Sequence, residues 1–168
     1  MTSDKLAFVA FEPRMQFVAF LSMEGVLSNE RQPEVLLRKA AGMYERSITT
    51  MRSLTAELQA SRAEHKLIPA RKIWQLGDCI FQLGDGLAAL SLQLDDTYEH
   101  LVRDLGVKRK WLEKVVIFRR YLPKESLIPE SLNWGRCEKG TRRVAERLRD
   151  GSLPVKDPRR SGSGPVGL

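Results

Sequence analysis

An all-α fold is what the sequence predicts, and three observations predict it. Two stretches, 34–63 and 70–95, each carry a row of apolar residues at alternating spacings of four and three. Pro33, Pro69 and Pro123 stand at the edges of the apolar-periodic segments. Gly106 separates two shorter segments of the same kind. The expected architecture is a long antiparallel helical hairpin, then two short helices about a tight turn, then a C-terminal helix. Residues 1–150 are expected to form a single helical domain.

The N-terminal stretch repeats "FVAF" at 8–11 and 17–20. The first copy reads as a strand or as an arm that docks on a partner. The second is expected to begin a helix after Pro13. Residues 34–63 follow as one long helix, with Pro33 in its first turn, where no amide donor is needed. Leu37, Ala41, Tyr44, Ile48, Met51 and Leu58 form its apolar stripe, broken only by Thr55. The segment "EHKLIPAR" then turns the chain. In 70–95 the row is Leu76, Ile80, Leu83, Leu87, Leu90 and Leu94. Two such helices with a short connection fold back on each other.

"QLGD" occurs twice in the second helix, at 75–78 and 82–85. Asp78 and Asp85 share a helix face and would make a carboxylate pair for a metal. The favoured expectation is that Gly77 and Gly84 admit a neighbouring helix while the two aspartates face water. Gly84 and Gly86 each cost about 1 kcal/mol in a helix, so a kink is expected near them. Asp96 is placed to cap a helix over 97–105, and Pro123 to end another over 108–122. "KESLIPES" reads as a loop. Asn133 is placed to cap a last helix over 134–149, with Trp134, Cys137, Val144 and Leu148 on one side. Residues 151–168 form a basic tail rich in Gly, Pro and Ser that has little to bury and is expected to be disordered.

A hydrophobic content of 42% is enough for a core. No apolar run approaches the ~20 residues of a membrane span, and no secretory signal is legible. No membrane association is therefore expected, and the default location is cytoplasmic. Cys79, Cys137, His65 and His100 are isolated from one another in sequence, so neither a metal site nor any other cofactor is expected. There is no Gly-rich phosphate loop, no G-x-S-x-G and no cluster of acids or histidines at useful spacing. The expectation is a protein that is not an enzyme.

Charge is unevenly placed. Residues 1–107 hold 12 Lys/Arg against 14 Asp/Glu, whereas residues 108–168 hold 16 against 7. The formal charge of +7 therefore lies wholly in the C-terminal third. Such asymmetry suits a polyanion partner, although a solvated helix surface with a basic tail would look similar.

The window from Tyr98 to Ile117 sharpens this. Leu101, Leu105, Val107, Leu112 and Val115 are apolar at its fourth, eighth, tenth, fifteenth and eighteenth positions, and Gly106 is ninth. Residues 98–120 thereby resemble the helix-turn-helix superfamily of DNA-binding proteins. Val102 departs from the pattern, because a small residue usually lies there. The resemblance implies that the second helix enters a major groove by its N-terminal residues. It turns Lys108, Arg109, Lys110, Glu113, Lys114 and Ile117 outward, with Arg109 as the reader of a guanine edge. Trp111 packs either on the body, the favoured expectation, or against a sugar. Arg119 and Arg120 follow as phosphate clamps. Arg136, Lys139, Arg142, Arg143 and Arg147 either extend the patch or form a solvated face. More widely, "IWQLGDCIFQL…YEHLVRDLGV…WLEKVVIFRRYLP" resembles the helical N-terminal domain of YhcG-type bacterial nucleases over roughly residues 70–123. That resemblance implies a bacterial defence or mobile-element setting.

The function expected is nucleic-acid binding, with duplex DNA as partner, in a bacterial regulatory, defence or mobile-element system. One recognition helix rarely suffices, so a homodimer or a place in a larger complex is expected. The alternative is a non-catalytic helical scaffold subunit of a larger nucleoprotein complex that touches nucleic acid without reading sequence.

Overall fold

The computed structural model describes residues 5–12, 15–20 and 33–153, with side chains from residue 35 onward. The fold is mostly helical. The elements are β1 (Lys5–Glu12), β2 (Met15–Phe20), α1 (Pro33–Ala63), α2 (Ala70–Ala89), β3 (Leu92–Leu94), α3 (Thr97–Leu105), α4 (Arg109–Tyr121) and α5 (Thr141–Arg149). Two 3₁₀ turns, Glu125–Leu127 and Trp134–Arg136, lie between α4 and α5. The expected tail beyond residue 153 lies outside the described residues.

The apolar row of α1 is buried as its spacing predicts, from Leu37 through Leu58. Thr55 fills the one polar gap: it is 4% exposed, and its hydroxyl donates to the Met51 carbonyl at 2.7 Å. Buried in that way, the hydroxyl is satisfied within its own helix. The helix ends where His65 takes a left-handed conformation (φ 57°). Lys66 N donates to Ser61 O at 2.8 Å and His65 N to Arg62 O at 3.1 Å, so the last carbonyls are satisfied. The chain then reverses, and α2 packs back along α1.

The interior joins all five helices. Tyr44 of α1 is fully buried, and its hydroxyl donates to the Asp104 carboxylate of α3. Its ring meets that of His100 edge-on at 6.1 Å. Burial first, then the Asp104 hydrogen bond, pushes the Tyr44 phenol upward, so it stays a donor. Phe118 of α4 packs edge-on against Trp134 at 5.4 Å. The segment after α4 crosses the start of α2: Trp74 Nε1 donates to Leu122 O at 2.8 Å, Arg71 Nε to Ile128 O at 2.7 Å, and Trp134 N to Ile68 O at 2.7 Å.

Helix α4 crosses α2 at Gly77. A Cβ on Gly77 would lie 2.7 Å from Arg119 Cβ and 3.0 Å from Val115 O, so only glycine admits the crossing. Arg119 then lies in a slot formed by one face of α2. Its Nε donates to Asp78 Oδ1 at 2.9 Å, and its guanidinium stands 5.1 Å from the Trp74 ring centre and 4.8 Å from that of Phe81. Positions 74, 77, 78 and 81 repeat at helical spacing, which is why they share that face. The two "QLGD" copies therefore differ. Asp78 does not face water as expected, whereas Asp85 is exposed. Nothing approaches a Cβ on Gly84 within 4 Å.

Four other expectations are corrected. The second helix stops at Ala89 rather than 95, because Ser91 takes φ 58° and turns the chain. Leu92 and Leu94 are buried with Gln93 exposed between them, a two-residue period that the four-three row had concealed. The segment after Pro13 is the strand β2, not a helix; it pairs antiparallel with β1 and with β3 in a small sheet ordered β1-β2-β3. The last helix begins at Thr141 rather than 134, since Gly140 takes φ 68° and interrupts it. Asn133 does cap, its side chain accepting from Arg136 N, but it caps the 3₁₀ turn Trp134–Arg136. "KESLIPES" holds the other 3₁₀ turn.

The twin glycines give a test of opposite sign. Gly77→Ala should destabilise by about 1–3 kcal/mol through overpacking, whereas Gly84→Ala should stabilise by roughly 0.5–1 kcal/mol through helix propensity. Likewise Asp78→Ala should lower stability by about 1.5–3 kcal/mol by removing the charged hydrogen-bond partner of a half-buried cation, and Asp85→Ala should stay within about 0.5 kcal/mol. Urea unfolding midpoints of the four variants check both pairs.

Candidate nucleic-acid interface

The candidate interface is built on the α3–α4 pair. Asp96 caps α3 as expected, its side chain accepting from Glu99 N at 3.1 Å. Gly106 ends α3 at φ 66°, ψ 34°, and its amide donates to Val102 O at 3.0 Å. Such a left-handed residue is what glycine permits at a helix C-terminus. Lys108 is extended, and its carbonyl accepts the first bond of α4 from Leu112 N. Leu112, Val115, Val116 and Phe118 are buried and fix the inner side of α4. Trp111 is half-buried against the same core.

The outer side sorts the expected site residues into three kinds. Lys108 is exposed at the N-cap of α4, Lys110, Lys114 and Arg120 are exposed on α4, and Arg143 is exposed on α5. None of these five pairs with a carboxylate among the described residues. Arg109 and Arg142 are exposed but engaged. Arg109 lies 3.3 Å from Glu113 Oε1 and 3.6 Å from Asp96 Oδ2, with its guanidinium 5.2 Å from the Tyr98 ring centre. Arg142 bonds Glu146 at 3.0 Å and stands 4.6 Å from the Tyr121 ring centre. The third kind is Arg119, whose guanidinium is held in the α2 slot and not presented as a phosphate clamp. Arg136 is exposed beside the Asn133 cap. Glu113 and Ile117, expected outward, are half-buried.

Two features organise this surface. The first turn of α4 holds no acid, while Lys108, Arg109 and Lys110 stand at its positive end. Like charge there opposes the helix dipole and favours an arriving anion. The Arg142–Tyr121 contact also seats α5 against the C-terminal end of α4. The residues that sequence reasoning missed are the fixing partners: Asp96 and Tyr98 for Arg109, and Tyr121 for Arg142. The Arg109–Glu113 and Arg142–Glu146 pairs, by contrast, follow from their spacing of four.

Other chemistry finds little footing. Among the described residues no group of three or more His, Cys, Asp or Glu is placed to hold a metal. Cys137 is buried and its thiol is pushed up to about 12, mainly by burial. Burial likewise raises the Cys79 thiol. Both cysteines are free, and both are the less reactive for it. No described helix is long and apolar enough to cross a membrane. Comparison with family models, with curated proteins and with solved structures finds no match to this chain.

Proposed function

We propose that this chain binds duplex DNA through α3, the Gly106 turn and α4, with α5 adding backbone contacts. One observation carries this reading. Lys108, Lys110 and Lys114 stand at and just beyond the start of α4 with no carboxylate partner among the described residues, at the dipole end where cations destabilise a helix. A local cost of that kind is understandable where an anion completes the site. Phosphates of a duplex supply such anions at regular spacing. Two copies, or a larger assembly, would supply the second recognition helix that such readers need.

A second reading has its own observation. Arg109, the residue best placed to read a base, is already engaged by Glu113, Asp96 and Tyr98. Such engagement favours a scaffold that grips the backbone without reading sequence.

Salt titration of binding to random and enriched duplexes separates the two. Replacing Lys108, Lys110 and Lys114 by Gln should reduce the slope of log K against log salt by about 3, close to 0.9 for each phosphate no longer neutralised. Under the first reading, Arg109→Ala removes about 1–3 kcal/mol of discrimination between sites. Under the second, all duplexes bind alike before and after that change. Absence of binding at ~100 mM salt, where counterion release still favours a basic protein, would overturn both.

A further inference from the structure

We propose that a cleft between α1 and the α3–α4 turn binds a small amphipathic anion, namely an aliphatic or aromatic carboxylate. Thr55, Leu58, Gln59 and Arg62 line one side from a single face of α1, at spacings of three, four and seven from Thr55. Gly106, Val107, Lys108 and Trp111 line the other, and Ile68 also contributes. The cavity volume is about 330 Å³, within the range of small-molecule sites.

Its chemistry is two-part. Leu58, Ile68, Val107 and Trp111 give an apolar floor. Arg62 and Lys108 add two cations, both exposed and neither paired with a carboxylate among the described residues. No Asp or Glu lines the cleft among the described residues. An apolar body therefore finds burial, and a single negative charge finds two partners at the wall. Trp111 gives that wall an aromatic face.

An anionic ligand is the complementary choice. The cleft shares Gly106, Val107 and Lys108 with the turn that positions α4, so an occupant would bear on that turn directly.

The test needs no nucleic acid, so its outcome is independent of the DNA-binding reading. Octanoate is titrated into the ¹⁵N-labelled full chain, with octan-1-ol as the neutral control. Saturable shifts of the Trp111 indole N–H and the Val107 amide are expected with octanoate. Affinity should be about tenfold weaker for the alcohol and for Arg62→Gln, as removal of one charge-assisted hydrogen bond implies. Leu58→Trp, which fills the cleft, should abolish the shifts, and retention of the remaining amide spectrum would show that this variant is folded. Equal affinity for acid and alcohol, shifts that map elsewhere, or no saturable shift would overturn the proposal.

Discussion

The seating of Arg119 over Gly77 is the constraint on which the rest depends. Helix α4 can approach α2 closely only because position 77 has no side chain. Once there, it brings a cation into a largely apolar contact. Asp78 supplies the counter-charge, while Trp74 and Phe81 supply ring faces. A half-buried ion pair of this kind is weak as a source of stability but strict about geometry. It admits one rotation of α4 about its axis. That rotation leaves Lys110, Lys114 and Arg120 outside, and it aims Phe118 at Trp134.

Much of the helical framework was legible because it rests on local rules. Pro33, the four-three row of α1, the Asp96 cap and the Gly106 turn are each written within a few residues of where they act. What was illegible depends on distant partners. Leu90 and Leu94 fit a continued helix as well as Leu92 and Leu94 fit a strand, and the choice is made by pairing with β2, far away in sequence. The two "QLGD" copies are identical locally; only the crossing of α4 makes one structural and leaves the other solvated. At the candidate interface, residue type and outward direction were legible for the lysines. The engagement of Arg109 was not, because Asp96 and Tyr98 belong to the preceding helix and its cap.

The basic surface has a division of labour in its side chains. Its lysines are flexible and carry no carboxylate partner among the described residues, which suits contact with a polyanion that need not be read base by base. Three arginines, by contrast, sit on aromatic rings: Arg109 on Tyr98, Arg119 on Trp74 and Phe81, Arg142 on Tyr121. Planar guanidinium groups stack well and lose little freedom in doing so. These arginines tie helix to helix as much as they add charge. An Arg-to-Lys exchange at any of the three would keep the field and loosen the frame.

The strap after α4 carries a consequence for how the chain reaches this state. Trp134 and Leu132 bond across to Ile68 and Ala70, and Pro69 bridges Asn133, so the start of α2 is finished by residues from the far end of the domain. Closing so long a loop costs entropy before any contact rewards it. The α1–α2 hairpin has no such delay, as its two helices are joined by a short turn. Topology therefore favours the hairpin forming before the strap. Trp134 is buried in the finished fold, so a variant retaining it as the sole tryptophan, without Trp74 and Trp111, would report that last step by fluorescence.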